Sequence, residues 1–423
     1  VQALRSIAAR LCNIEIYFVI LVIVLSMASA RLLPFALGVI VFLGVSRLLA
    51  KGHFSVQTPL NIPIIGMSVL LLMALWASPR PEIANPQVMR AFNGIGLYFA
   101  LVNSNLSSRK ITLGLLAMGL VLASVSPFVV EWFPGEKLPF IPSWLYQMPK
   151  IVADTINPNP LATVLVITFS MGLGVLYWGY KSPSSTTTLI TVPFANIKPI
   201  HEKGVVIAGL ILVLFDLLIS QSRGGLLALG GALVTFALVA WRRVRWVVVA
   251  LIVAVGGVVW QFKLLPDLFA RTPQGGPSAL QIRLTHWTRA LELIQQMPFS
   301  GVGMGIYPDL VDKGPRGVTG LTAIERTHAH NMILQIALDL GVLGALIWLI
   351  MLGVVIFLQF KTLRNRTAPN WQKGVALGLI TAQVGMFIAN MFDSTLWGIV
   401  RSAPYLWAIW ALGVINYKKP TSL

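Results

Sequence analysis

The chain is 423 residues long, 56% hydrophobic and only 11% charged, with a formal net charge of +18. A soluble protein of this size cannot hide so much apolar surface, so lipid must be the solvent for most of it. The lone cysteine, Cys12, excludes an intramolecular disulfide. The absence of HExxH, GxSxG and any cysteine cluster excludes the metalloprotease, serine-hydrolase and zinc classes.

Apolar runs of spanning length lie near residues 14–30, 32–50, 62–78, 89–106, 111–132, 160–180, 204–220, 224–240, 246–262, 332–359, 374–392 and 402–417. They predict an all-α polytopic membrane protein with about twelve transmembrane helices. The fourth run, broken by Asn93, Gly94 and Gly96, is the weakest. The first is long enough to span and has no small-residue cleavage site ahead of a soluble domain, so it is expected to stay as a helix.

An even span count puts both termini on one side, and the basic residues say which. With a cytoplasmic N-terminus, the inner segments carry Arg5, Arg10, Arg47, Lys51, the Arg242-Arg243-Val244-Arg245 cluster, Lys361, Arg364 and other cations with almost no acids. This positive-inside pattern accounts for the net charge without nucleic acid. The outer segments then include 131–159, rich in Pro, Trp and Phe as befits the headgroup level, and 263–330, too long for a simple connector. The expected organisation is helices 1–9 over residues 1–262, an extracytoplasmic cap over 263–331, and helices 10–12 over 332–423.

The first outer arginine of interest is Arg223, in Ser220-Gln221-Ser222-Arg223-Gly224-Gly225 between spans seven and eight. There a fixed guanidinium and a helix N-terminus converge at the depth of lipid phosphates. The competing reading is an arginine snorkelling to headgroups.

Inside the cap, 283–297 projects as a helix with Arg283, Trp287, Ala290, Ile294 and Met297 on one face, and Arg289 and Glu292 on the opposite one. Arg283 should therefore point into the protein and Arg289 toward water. An inward arginine needs an anion, either a carboxylate such as Asp216 or Asp393 or a substrate group. Gly301-Val302-Gly303-Met304-Gly305 reads as a tight turn or as a phosphate cradle.

His330 and Asn331 open span ten, at Thr327-His328-Ala329-His330-Asn331. A helix N-terminus disfavours the charged imidazole, which leaves a neutral ring able to accept a proton at pH 7. The plainer role is helix capping. Arg326 is a candidate extra phosphate contact, and His328 a weaker candidate than His330. Asp393, at the outer end of span eleven, is a boundary carboxylate that would orient His330 or pair with an arginine. No Asp-x-Asp stands in the cap to hold a divalent ion, so a diphosphate handled here would have to be neutralised by arginines.

His330-Asn331, nine residues, then Gly341-Val342-Leu343-Gly344 resembles the His-(Asn/Ser/Gln), nine-residue, Gly-x-x-Gly signature of the O-antigen ligases of Gram-negative bacteria, a family that shares a domain with O-antigen polymerases. Arg223-Gly224-Gly225, Arg283 with Trp287, and Gly301-Val302-Gly303 resemble the family's other marks, in the right order. The motifs cover roughly 204–360, and the span count and the large loop extend the likeness to the whole chain.

The resemblance implies a GT-C-like glycosyltransferase of the bacterial inner membrane, with its active site facing the periplasm. It implies transfer of O-antigen from undecaprenyl pyrophosphate to a sugar hydroxyl of lipid A–core oligosaccharide, with inversion and without metal or other cofactor. His330 would be the catalytic base. Arg223 and Arg283 would bind the donor pyrophosphate, with Arg326, Asn331 and Asp393 as further substrate-binding candidates. An O-antigen polymerase would share the donor and differ in acceptor. A lipid-linked oligosaccharide transporter would need polar residues along a mid-membrane path and repeat symmetry, whereas the charges here cluster at the outer ends.

Overall fold

A computed structural model describes residues 2–130, 148–151, 157–179, 199–241, 243, 245–247, 249–250, 253–254, 279–313 and 327–417. Among them the chain is helical: α1 (Gln2–Ala28), a 3-10 turn (Ala30–Leu32), α2 (Leu33–Lys51), α3 (Asn61–Trp76), α4 (Pro81–Asn103), α5 (Ser108–Val129), α6 (Pro158–Gly179), α7 (Pro199–Ile219), α8 (Arg223–Ala240), α9 (Ala279–Gln296), α10 (Tyr307–Leu310), α11 (Met332–Arg364), α12 (Asn370–Asn390) and α13 (Ala403–Tyr417).

Seven helices among these residues are long and apolar enough to cross a membrane: α1, α2 with its preceding turn, α5, α6, α8, α11 and α12. The other expected spans coincide with α3, α4, α7 and α13. The ninth, 246–262, lies mostly outside the described residues, as do most of the outer segment 131–159 and the cap stretches 263–278 and 314–326.

Packing within the bundle follows membrane rules, where close backbone approach replaces hydrophobic driving force. A side chain at Gly174 of α6 would strike the α12 backbone at Gly374 and Gly378, so these helices touch through their glycines. In the same way Gly94 of α4 receives the indole of Trp407 from α13. The polar interruption that weakened the fourth apolar run is thus a packing surface. Near the N-terminal end of the bundle, buried Arg47 is paired with buried Glu15 and also donates to the Phe54 carbonyl at 2.7 Å.

The feature that positions the site is α11. It has 33 residues, about 50 Å at 1.5 Å per residue, against a hydrocarbon core of about 30 Å. The helix is broken at Gly341, whose φ of 75° and ψ of 175° are not helical. The nine residues 332–340 form an upper piece, and the rest continues as the span. At the break Val342 N donates to the Pro298 carbonyl at 2.8 Å, and the Leu338 carbonyl accepts from Val302 N at 2.6 Å. Backbone groups freed by the break are therefore satisfied by the cap, as buried peptide groups must be.

Candidate active site

Four elements converge on the turn that follows α12. The Met391 carbonyl accepts from Asn331 Nδ2 at 3.2 Å, and the Phe392 carbonyl accepts from Arg283 Nε at 2.9 Å. Asp393 Oδ1 takes His328 Nε2 at 3.1 Å, and Oδ2 takes Asn159 Nδ2 at 2.7 Å. Asn159, at the start of α6, accepts the Ser222 hydroxyl at 2.8 Å, and Ser222 Oγ caps α8 by accepting Gly225 N. Hydrogen bonds thus run unbroken from the helix that begins with Arg223 to the carboxylate behind the histidines.

His330 immediately precedes Asn331, which caps α11 by accepting Ile333 N and Leu334 N at 3.0 and 3.1 Å. Its backbone N–H donates to His328 Nδ1 at 3.1 Å, which places the His328 proton on Nε2, facing Asp393. Trp287 Nε1 donates to the His330 carbonyl at 3.3 Å. These bonds hold His330 at a φ of 50°. Among the described residues only one other non-glycine, Gln221 just before Ser222, has a positive φ, so both left-handed residues flank the site.

The His330 ring lies edge-on to His328, with centroids 4.4 Å apart, and to buried His286 at 5.2 Å; His286 Nδ1 is 2.8 Å from the Tyr307 hydroxyl. Burial pushes the His330 pKa down to about 4, with His328, His286 and Arg283 acting the same way and Asp393 opposing them. The direction is the one expected from the sequence, but its leading cause is desolvation. Arg283 is half-buried; burial lowers its pKa, Asp393 raises it, and the neighbouring Arg223 lowers it. The two guanidiniums are therefore close enough to repel, with Arg223 exposed at the first turn of α8. Asp216, the alternative partner for Arg283, instead accepts the buried Ser126 hydroxyl at 2.5 Å.

Several expectations need correction. Arg289 does not face water: it is 6% exposed, pairs with Glu292 at 2.9 Å, and donates to the Leu310 and Lys313 carbonyls at 3.2 and 2.5 Å. Met297, placed on the inward face, is exposed. A single-face projection fails here because α9 is covered twice, by α11 and by the 307–313 segment. Arg289→Ala should therefore destabilise the protein by about 2–4 kcal/mol, since it orphans buried acceptors and a partly buried carboxylate. Thermal or denaturant unfolding checks this, and a change within error would mean that the segment is held without it.

Asn331, expected as a substrate-binding residue, uses both ends of its amide within the protein, as cap and tether. The glycine triplet is a docking turn: Gly301, Gly303 and Gly305 all take positive φ, and Gly305 N donates to Asp339 Oδ1 at 3.2 Å. Asp339, fully buried, also receives Gln335 Nε2 at 3.0 Å and Trp397 Nε1 at 2.8 Å, which ties the upper piece of α11 to two loops. Arg326 lies outside the described residues.

Sequence reasoning missed Asn159 and the His328–Asp393 pair. It also missed that His328, His330 and Asp393 place one ligand atom each within 4.8 Å of one another, a spacing that could hold a cation. To serve as a ligand through Nε2, His328 would have to release Asp393, because its other ring nitrogen accepts the His330 N–H.

Among the described residues the fold is that of a helical membrane protein, with histidines and arginines gathered where the 279–313 segment docks onto the bundle. Residues 208–349 match the family model described as O-antigen ligase. The match includes Arg223, Arg283, His330 and Gly341 and ends before Asp393. It brings with it a general ligase- or polymerase-type role in handling lipid-linked glycans. No curated protein matches the chain.

Proposed function

We propose that the protein is an O-antigen ligase that transfers glycan from undecaprenyl pyrophosphate to a sugar hydroxyl of lipid A–core. The observation that carries this reading is a desolvated imidazole with a pKa of about 4 beside two mutually repelling guanidiniums, all held around one turn. A ring in that state is unprotonated at neutral pH and can take a proton from an attacking hydroxyl. Two adjacent cations suit a diphosphate that gains charge as it leaves.

In the proposed step the acceptor oxygen bonds to the anomeric carbon as its proton passes to His330. The bond from that carbon to the phosphate oxygen breaks on the opposite face, which inverts the centre. Undecaprenyl pyrophosphate departs with its new charge facing Arg223 and Arg283. Asp393 and His328 act behind the base: the carboxylate fixes the His328 tautomer, and His328 holds the His330 main chain. Both lipid tails stay in the bilayer while the headgroups meet beneath the cap. Twelve spans, cytoplasmic termini and a periplasmic, inner-membrane site complete the reading, on the strength of the positive-inside pattern.

The test is reconstitution of the purified protein in proteoliposomes with lipid-linked glycan and lipid A–core. Arg223→Ala and Arg283→Ala should each reduce transfer about 100-fold or more, the size of effect seen when one charge-stabilising donor is lost. Wild-type rates in both would place the pyrophosphate elsewhere. Glycan added to another lipid-linked glycan, with lipid A–core untouched, would make the enzyme a polymerase. Chelation by EDTA should leave the rate unchanged; loss restored by Mg²⁺ or another divalent ion would assign the His328–His330–Asp393 cluster to a metal instead.

A further inference from the structure

A second cationic site lies on the cap side of the bundle, away from the histidines. Arg90 of α4 is 2% exposed, yet among the described residues only Nη2 has a partner, the Ser26 carbonyl at 3.2 Å. Its Nε and Nη1 are buried without any hydrogen bond. The charge that acts on Arg90 is another cation, Arg401, half-buried in the turn before α13. Glu82 of α4 and Asp309 of the cap are both taken by Arg80, and Asp339 by Gln335, Trp397 and the Gly305 N–H. A buried guanidinium that meets a second cation and no carboxylate is costly, and an anion supplied from outside relieves that cost.

The depth of Arg90 identifies the kind of anion. Ser26 lies in the last turn of α1, and the neighbouring Asn93 faces Leu33 at the start of α2. The two apolar helices are joined there by only a 3-10 turn, so Arg90 sits at the headgroup level. This is the cap side, because Arg80 at the head of α4 bonds Asp309 at 2.7 Å and Gln87, one turn above Arg90, packs against Gly305 and Gly398. Gly305 and Trp397 bond the upper α11 piece through Asp339, which Gln335 links in turn to Ala329 beside His330. A ligand at Arg90 would thus approach the His330 region from the α1–α2–α4 side, by other elements than α8, which carries Arg223.

We infer that Arg90 and Arg401 bind the phosphate of a lipid headgroup in the cap-side leaflet. If the function proposed above holds, this phosphate is that of the phosphorylated acceptor lipid; the same chemistry is offered by a bilayer phospholipid. Donor and acceptor then each have their own arginine pair, carried by different elements.

The experiment is native mass spectrometry of the full chain in detergent, with three probes: phosphorylated lipid A–core, the same lipid after phosphatase treatment, and phosphatidylglycerol. Wild type should retain the phosphorylated lipid A–core over its dephosphorylated form. Arg90→Gln should weaken that retention about tenfold or more, the scale of one lost charged contact, Arg90→Lys should keep part of it, and Arg31→Gln in the exposed α1–α2 turn should change little. Equal retention of phosphatidylglycerol would uphold the site and assign it to bilayer lipid rather than to the acceptor. In delipidated detergent Arg90→Gln should melt no lower than wild type, because it deletes an uncompensated charge; a lower melting temperature would show that Arg90 is already satisfied and would overturn the inference. Equal binding by wild type and Arg90→Gln, or of both forms of lipid A–core, would do the same. These readouts are independent of glycan transfer, so a wild-type protein that binds but does not transfer would count only against the proposed function.

Discussion

Replacing His330 by alanine should cut glycan transfer about 100- to 10,000-fold, the usual contribution of a positioned general base. The protein should remain folded, because the bonds that fix this residue use its backbone, to His328 and Trp287. The wild-type pH profile tests the mechanism further. An ordinary histidine would switch off on acidification through about 6.5. With burial holding His330 at about 4, kcat/KM should stay level from neutral pH down past 6 and fall only on approach to 4. The sign for stability is the same: between about 6.5 and 4 the unfolded chain takes up the proton first, so acidification through that window removes stability. A limb near 6.5 that persists in His328→Gln would show His330 to be hydrated and the desolvated-base mechanism to be wrong.

The second large effect is expected at Gly341. Alanine there must adopt a backbone geometry that is essentially reserved for glycine, at about 1–3 kcal/mol, before any collision. Its Cβ would also strike the Phe299 carbonyl, a main-chain atom with nowhere to go. Gly301→Ala meets the Leu338 carbonyl from the other side of the same contact. Gly344, the partner glycine of the motif, differs in having no positive φ, although its added Cβ would lie 2.5 Å from Leu340 Cβ, an atom fixed to the helix backbone. Gly341→Ala should therefore lower stability by several kcal/mol, about the sum of strain and a lost backbone docking, and abolish transfer, whereas Gly344→Ala, which carries no left-handed strain and meets no loop backbone, should cost less. Limited proteolysis within the cap would report the undocking. Equal tolerance of the two alanines would mean that α11 can run unbroken through this point.

Much of this was legible in the residues because membrane helices announce themselves by length and apolarity. The nine-residue interval between Asn331 and Gly341 was also visible, and the structure shows its physical content as the length of one short helix. Arg283 and Trp287 were correctly placed on one inward face. Arg289 was not, since periodicity describes a helix with a single neighbour and α9 has two. The glycine triplet stayed ambiguous because positive φ serves a docking turn and a phosphate loop equally well. Asn159 was beyond reach: it sits in an Asn-Pro-Asn-Pro stretch that reads as a helix start, and its partner Asp393 is 234 residues away.

The turn at 391–393 has a consequence for how such proteins diverge. Two of its three anchoring positions act through carbonyl oxygens, which every amino acid supplies, so Met391 and Phe392 hold Asn331 and Arg283 without depending on what their own side chains are. Selection on such a turn acts on its length more than on its letters. A comparison scored position by position would pass over it, although shortening the chain there by one residue would shift the tethers of both neighbours at once.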